Sequence, residues 1–156
     1  MSGHDHRACM DATLLAAERL GAKLTPLRRR VLEIVLESHK PVGAYDVLGQ
    51  LARDGKKPAP PTVYRALDFL RGQGFVHRID SLSAFVACFA PQKAHRSHFL
   101  LCRTCGRAAE IENPTLDRAL EAAAGALGFA PERETVEITG KCRECANSAS
   151  AKRLNA

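Results

Sequence analysis

No apolar run in this chain of 156 residues approaches the roughly 20 residues that a membrane-crossing helix needs. The polar start MSGHDHRACMDA lacks the apolar stretch of a secretory signal, so a cytoplasmic protein with no membrane partner is expected. There is no internal repeat and no low-complexity segment. Neither His-x-Glu nor His-Glu-x-x-His occurs, which leaves a zinc hydrolase or deaminase without its usual base and ligands. No enzyme and no small-molecule substrate are expected.

What is present points another way. Hydrophobic residues make up 46% of the chain, enough to build a core. Lys and Arg number 23 against 17 Asp and Glu, a formal charge of +6 that favours anionic partners such as nucleic acid. Up to Ala84 the chain holds 13 basic and 9 acidic residues, and beyond it 10 and 8. Four of the six cysteines form two Cys-x-x-Cys pairs. In a reducing compartment that pattern reads as metal or redox chemistry rather than a disulfide framework.

The chain reads as two domains, 1–84 and 85–156, with residues 1–10 and 147–156 expected to be disordered. In the first, ATLLAAERL (12–20), PLRRRVLEIVL (26–36) and AYDVLGQLAR (44–53) have helical apolar spacing, with Thr25 as N-cap and Pro26 at the first helical position. A fourth helix from Thr62, TVYRALDFLRGQG, carries Val63, Ala66, Leu67 and Leu70 on one stripe and Arg65 on the opposite face, and Gly74 ends it. FVHRI and AFVAC around the turn-like DSLS then predict an antiparallel hairpin. Helices followed by a hairpin is the order of a winged helix-turn-helix, whose last helix enters the major groove. The second domain reads strand (HFLLC), strand (RAAEI), helix (115–127) and strand (ERETVEITG), a small α/β unit. The fold class expected is therefore α+β.

Cys102-Arg-Thr-Cys105 and Cys142-Arg-Glu-Cys145 are two knuckles that suit a closed tetrahedral zinc site. Such a site would tie the last strand to the first and hold the domain folded. The alternative is a pair of redox motifs. The histidines before the first knuckle cannot join this ion: along an extended strand His95 stands about 23 Å from Cys102, and His98 about 13 Å.

A second site would need other ligands. If Ile79 pairs with Ala84, His77 faces Val86 and Cys88 is its diagonal neighbour on the same face. With His95, and with Glu110 on the strand after the first knuckle, these residues make an N₂SO set whose thiolate selects zinc over iron(II) or manganese. Each also has a plain structural reading: Cys88 as a small core residue, Glu110 as a solvated strand residue, His77 as a phosphate contact.

The motifs LTPLRRRVLEIV, GAYDVLGQL, PPTVYRALDFLRGQGFVHRI, AFVAC, HFLLCRTCGRAAEI and CRECA, spanning about residues 14–145, resemble the ferric uptake regulator superfamily, most closely its zinc uptake regulator branch. The resemblance implies a homodimer with an N-terminal winged-helix domain and a C-terminal dimerisation domain. Its zinc-loaded form would bind palindromic double-stranded operator DNA and repress zinc-uptake genes. It implies two Zn²⁺ per subunit: a structural ion on Cys102, Cys105, Cys142 and Cys145, and a regulatory one on His77, Cys88, His95 and Glu110. Iron-type members carry an HHDHLIC-like cluster, whereas Phe99 stands three residues before Cys102 here; an iron or peroxide sensor is the alternative within the superfamily.

For DNA, Arg65 is the candidate for reading a guanine edge. Tyr64 and Tyr45 match family tyrosines that face the nucleic acid, and Thr62 begins the same helix as Tyr64. Lys56 and Lys57 would supply phosphate charge, joined by Arg28 to Arg30 unless that run is a solvated helix face. His98 and His39 are expected to be surface or hydrogen-bonded residues, His4 and His6 part of a disordered tail, and Cys9 a spare thiol.

Overall fold

The computed structural model describes residues 6–88, 90–91 and 96–147; His4 and His95 lie outside them. The chain divides into two compact units, Met1–Ala94 and His95–Ala156, ten residues later than the 84/85 boundary read from the sequence. The reason is visible in the first sheet. Residues 85–87 belong to its central strand and cannot be separated from the hairpin they close.

The first unit begins with α1 (His6–Glu18), so residues 6–10, expected to be disordered, are helical. Next come α2 (Pro26–Glu37), β1 (Val42–Gly43), α3 (Ala44–Arg53), α4 (Pro60–Gly72), β2 (Val76–Ile79) and β3 (Ala84–Ala87). Thr25 caps α2 as its spacing predicts, its hydroxyl accepting from the Arg28 N–H at 3.3 Å. Asp46 does the equivalent for α3, its carboxylate accepting from the Gly43 N–H at 3.0 Å. Pro60 and Pro61 open α4, where a missing N–H costs no intrahelical bond.

Two helices close alike. Gly55 (φ 77°) and Gly74 (φ 80°) take the left-handed conformation that lets Lys56 N–H bond Leu51 C=O and Phe75 N–H bond Leu70 C=O, each at 2.9 Å. These closures set where the loop before α4 and the strand after it begin.

The interior is made by one face of each helix: Val31, Leu32, Val35 and Leu36 of α2, Val47 and Leu51 of α3, and Val63, Ala66, Leu67 and Leu70 of α4, with Phe75, Val76 and Phe85 closing it. Full burial of one such Val, Leu or Phe contributes ~1.5–3 kcal/mol over leaving it in water. The antiparallel sheet runs β1-β3-β2. Its hairpin register is the expected one, Ile79 opposite Ala84 and His77 opposite Val86. The added strand β1 pairs Val42 with Phe85. This is a winged helix-turn-helix.

In the second unit β4 (His98–Cys102), β5 (Ala108–Ile111), α5 (Pro114–Ala126) and β6 (Glu137–Gly140) form a sheet of order β5-β4-β6. The strand read from the sequence over ERETVEITG is shorter than expected, only its last four residues pairing with β4. Asn113 caps α5, its side chain accepting from Thr115 N–H at 3.0 Å and Leu116 N–H at 3.1 Å. Leu100 and Ile138 are register partners, and both are exposed, as are Leu127 and Phe129 beyond α5.

Candidate metal centres and nucleic-acid interface

The two cysteine pairs lie 36 residues apart in sequence but follow two strands that run parallel. Because β4 and β6 pair in register up to Cys102 opposite Gly140, the chain leaves both strands at the same end of the sheet. Both knuckles therefore start from neighbouring points. Arg103 N–H bonds Gly140 C=O at 2.9 Å and joins the two exits directly. After β4 the chain turns back through Gly106 (φ 75°), with Gly106 N–H on Cys102 C=O at 2.8 Å. After β6, residues 143–147 form a helical turn that carries Cys145.

The four sulfur atoms all lie within 4.8 Å of one another, and Cys105 Sγ stands 3.9 Å from Cys142 Sγ. Tetrahedral thiolates about 2.3 Å from one zinc ion stand about 3.8 Å apart, so the donor set fits that ion. The protonation of the cluster points the same way. Cys102, with the backbone N–H groups of Cys105 and Cys142 directed at its sulfur, is lowered to about 5. Cys145, hydrogen-bonded to Cys142, desolvated and crowded by the other sulfurs, is pushed up to about 12. Sulfurs this close cannot all ionise without a cation among them. Arg107 pairs with Glu144 at 2.9 Å across the two knuckles.

The second candidate set divides between the units. In the first unit, His77 on β2 and Cys88 just after β3 come together, a ring nitrogen and the sulfur within 4.8 Å. Cys88 is fully buried, and its N–H bonds Phe75 C=O at 2.9 Å, which continues the hairpin ladder beyond Ala87. In the second unit Glu110 lies on β5 opposite Phe99, its carboxylate accepting a short hydrogen bond from the Ser97 hydroxyl. Ser97 is a contact that the sequence did not suggest, because nothing in a strand's pattern says which hydroxyl will reach a carboxylate 13 residues away. His95 lies outside the described residues.

His98 is the hydrogen-bonded residue of the two alternatives expected, and it is buried rather than at the surface. Its Nδ1 accepts from the Val136 N–H at 3.1 Å, which leaves Nε2 to donate to Asp117 at 2.7 Å. Both ring nitrogens are thus used inside the second unit. His39 is exposed.

On the first unit, α4 turns its apolar stripe inward and presents Thr62, Tyr64 and Arg65 to solvent. Tyr45 is 72% exposed on α3, and Lys56 and Lys57 are exposed in the loop between the two helices. The arginine run behaves differently from the phosphate role offered for it. The Arg28 guanidinium lies 3.7 Å from the Phe69 ring centroid and donates to Lys23 C=O at 2.6 Å. Arg29 pairs with Glu18 and Glu33. Arg30 pairs with Asp54 at 2.6 Å and with Glu33 and Glu37, each at 3.3 Å.

Comparison with known proteins locates this arrangement. The ferric uptake regulator family model matches residues 19–139. The zinc uptake regulation protein of Escherichia coli K12 is 36% identical over 135 residues, 86% of this chain and 78% of its own length. Among solved structures, a zinc uptake regulator complexed with zinc and DNA is 34% identical with a TM-score of 0.83, covering 90% of this chain and 97% of that one. Holo XcZur is 45% identical with a TM-score of 0.77, covering 87% and 98%.

Proposed function

The chain belongs to the ferric uptake regulator family, and from that premise we propose that it is a zinc-responsive transcriptional repressor. Its zinc-loaded homodimer binds palindromic operator DNA in the cytoplasm and represses zinc-uptake genes. The observation that carries the reading is the meeting of His77 and Cys88 on the wing hairpin, which puts a soft, zinc-selecting donor pair on the same rigid unit as the recognition helix α4.

Two zinc ions per subunit follow from the donor chemistry. Cys102, Cys105, Cys142 and Cys145 hold the structural one, and a four-thiolate shell leaves no position for a substrate, so no enzymatic role is assigned. His77, Cys88, His95 and Glu110 hold the regulatory one; a thiolate, a carboxylate and two neutral imidazoles balance the charge of one Zn²⁺. When bound, that ion would supply a Lewis-acid centre that those four side chains neutralise. The chain's own part is to keep the donors ready. The β2–β3 register fixes His77 against Cys88, and Ser97 holds the Glu110 carboxylate. Zinc shifts the population only by binding the DNA-competent state more tightly than the other.

The DNA face is made by Arg65, Tyr64 and Thr62 on α4, Tyr45 on α3, and Lys56 and Lys57 between them. Two such faces must stand about one helical turn of DNA apart to read a palindrome. The exposed apolar pair Leu100 and Ile138, with Leu127 and Phe129, supplies surface for a second copy of the chain. To test the reading, duplexes are selected from a random library by the zinc-loaded protein, and binding is then titrated with buffered Zn²⁺, Fe²⁺ and Mn²⁺ without oxygen. Zinc-dependent binding is expected; tight binding with Fe²⁺ but not with Zn²⁺ would establish the iron or peroxide branch instead.

A further inference from the structure

Arg30 and Asp54 are 24 residues apart, one within α2 and the other at the cap that follows α3, yet Arg30 Nε stands 2.6 Å from Asp54 Oδ2 and its NH2 reaches Oδ1 at 3.5 Å. Both side chains are about three-quarters covered. Asp54 is the residue at which α3 closes. Its own N–H bonds Gln50 C=O at 3.1 Å, and the next two residues, Gly55 and Lys56, bond back to Ala52 and Leu51. From that closure the chain passes through Lys56 and Lys57 into α4. Glu33 and Glu37 flank Arg30 on its own helix, so the guanidinium is already surrounded by carboxylates and has little charge left for a phosphate.

We propose that Arg30 is a positioning residue for DNA binding: through Asp54 it anchors the end of α3 to α2 and fixes where Lys56 and Lys57 meet the DNA backbone. The inference rests on the DNA-binding reading above and adds a residue that does not itself touch nucleic acid. It also reverses the expected sign of a substitution. If Arg30 were a phosphate contact, removing the acidic Asp54 would free it and tighten binding. If Arg30 acts through Asp54, the same change loosens the lysine loop and weakens binding.

The experiment uses the full zinc-loaded chain and a duplex recovered by the selection above, with dissociation constants measured over a range of salt concentrations. Arg30→Gln and Asp54→Asn should each weaken binding by a similar factor, roughly three- to tenfold for a partly exposed charged hydrogen bond. The double variant should be no weaker than either single one, and the salt slope should fall by the same amount in Arg30→Gln and Asp54→Asn, since both act through the same two lysines. Amide exchange should rise at Gly55 and Lys56 in both variants while the melting temperature stays above that of the assay. A purely global loss of stability would not confine the change to those amides. Tighter binding by Asp54→Asn, a slope reduced in Arg30→Gln but not in Asp54→Asn, or no change in either variant would overturn the inference. Failure of the wild-type chain to select any duplex would remove the repressor reading itself, and this inference with it.

Discussion

His98 Nε2 lies 2.7 Å from Asp117 Oδ1, with the imidazole fully buried and its other nitrogen occupied by the Val136 backbone. One side chain thus links β4, α5 and the segment that leads into β6. Replacing it by an apolar residue would strand a carboxylate and a backbone N–H together. His98→Leu should destabilise the protein by ~2–4 kcal/mol, read as a lower urea midpoint at unchanged slope. Zinc content should remain that of the wild type; a lower content would make His98 a ligand.

The cysteine cluster leads to a prediction about protons. Cys145, held at about 12, carries its proton near neutrality and must lose it to bind a metal, whereas Cys102, at about 5, is already ionised. Zinc binding at about pH 7 should therefore release fewer than four protons, and apparent affinity should rise with pH. Calorimetry in buffers of different ionisation enthalpy measures the number. Cys142→Ser should lose this ion and with it the ordered second unit, seen as lost zinc and lost ellipticity; retention of both would remove the structural role.

The wing was legible in the sequence because its register is a local matter. FVHRI, DSLS and AFVAC lie within 14 residues, and the turn alone sets Ile79 against Ala84 and so His77 against Val86. The cysteine site was legible through its donor chemistry, although the parallel strands that close it were not. Contacts between distant residues left no such trace. Strand β1 is two residues long and exists only because Phe85 and Ala84 stand beside it. The arginine run read as phosphate charge because Asp54, the partner that occupies Arg30, is far along the chain. His98 showed neither its burial nor Asp117, 19 residues on.

The sensing role proposed for the hairpin can be tested apart from folding. Cys88→Ser exchanges sulfur for oxygen at a buried position and removes the donor that selects zinc. It should keep one zinc per subunit, keep the wild-type circular dichroism, and lose zinc-dependent DNA binding at least tenfold. Glu110→Gln, which can still accept from Ser97, should lose the same response. Retained zinc-dependent binding in both would assign sensing to other residues.

The Arg30 guanidinium, with Gln50 and Lys56 adding to it, holds the Asp54 carboxyl below the usual carboxylate range. A depressed pKa in the folded state contributes stability above the unfolded value, about 4, and that contribution is lost as pH falls through the folded value. Wild-type chain should therefore lose melting temperature on acidification more steeply than Asp54→Asn over this window. Melts from about pH 6 to pH 3 on both proteins isolate the difference, since acid loss of zinc is common to the two. Parallel curves would mean that the pair contributes nothing to the folded state.

Base reading and charge should separate on α4 and its preceding loop. Arg65 projects from the exposed face of α4, with Ala66 and Leu67 buried behind it, so its removal would change the proposed groove contact without touching the core. Arg65→Ala should cost ~1–3 kcal/mol of affinity for the selected duplex and relax preference at one base position. Lys56→Ala and Lys57→Ala should instead weaken all duplexes alike and lower the salt slope by about one each. Selection repeated with each variant reads both quantities together. If Arg65→Ala kept the wild-type sequence preference and lost only salt dependence, Arg65 would be a phosphate contact and the specificity would have to come from elsewhere on α4 or from the shape of the DNA.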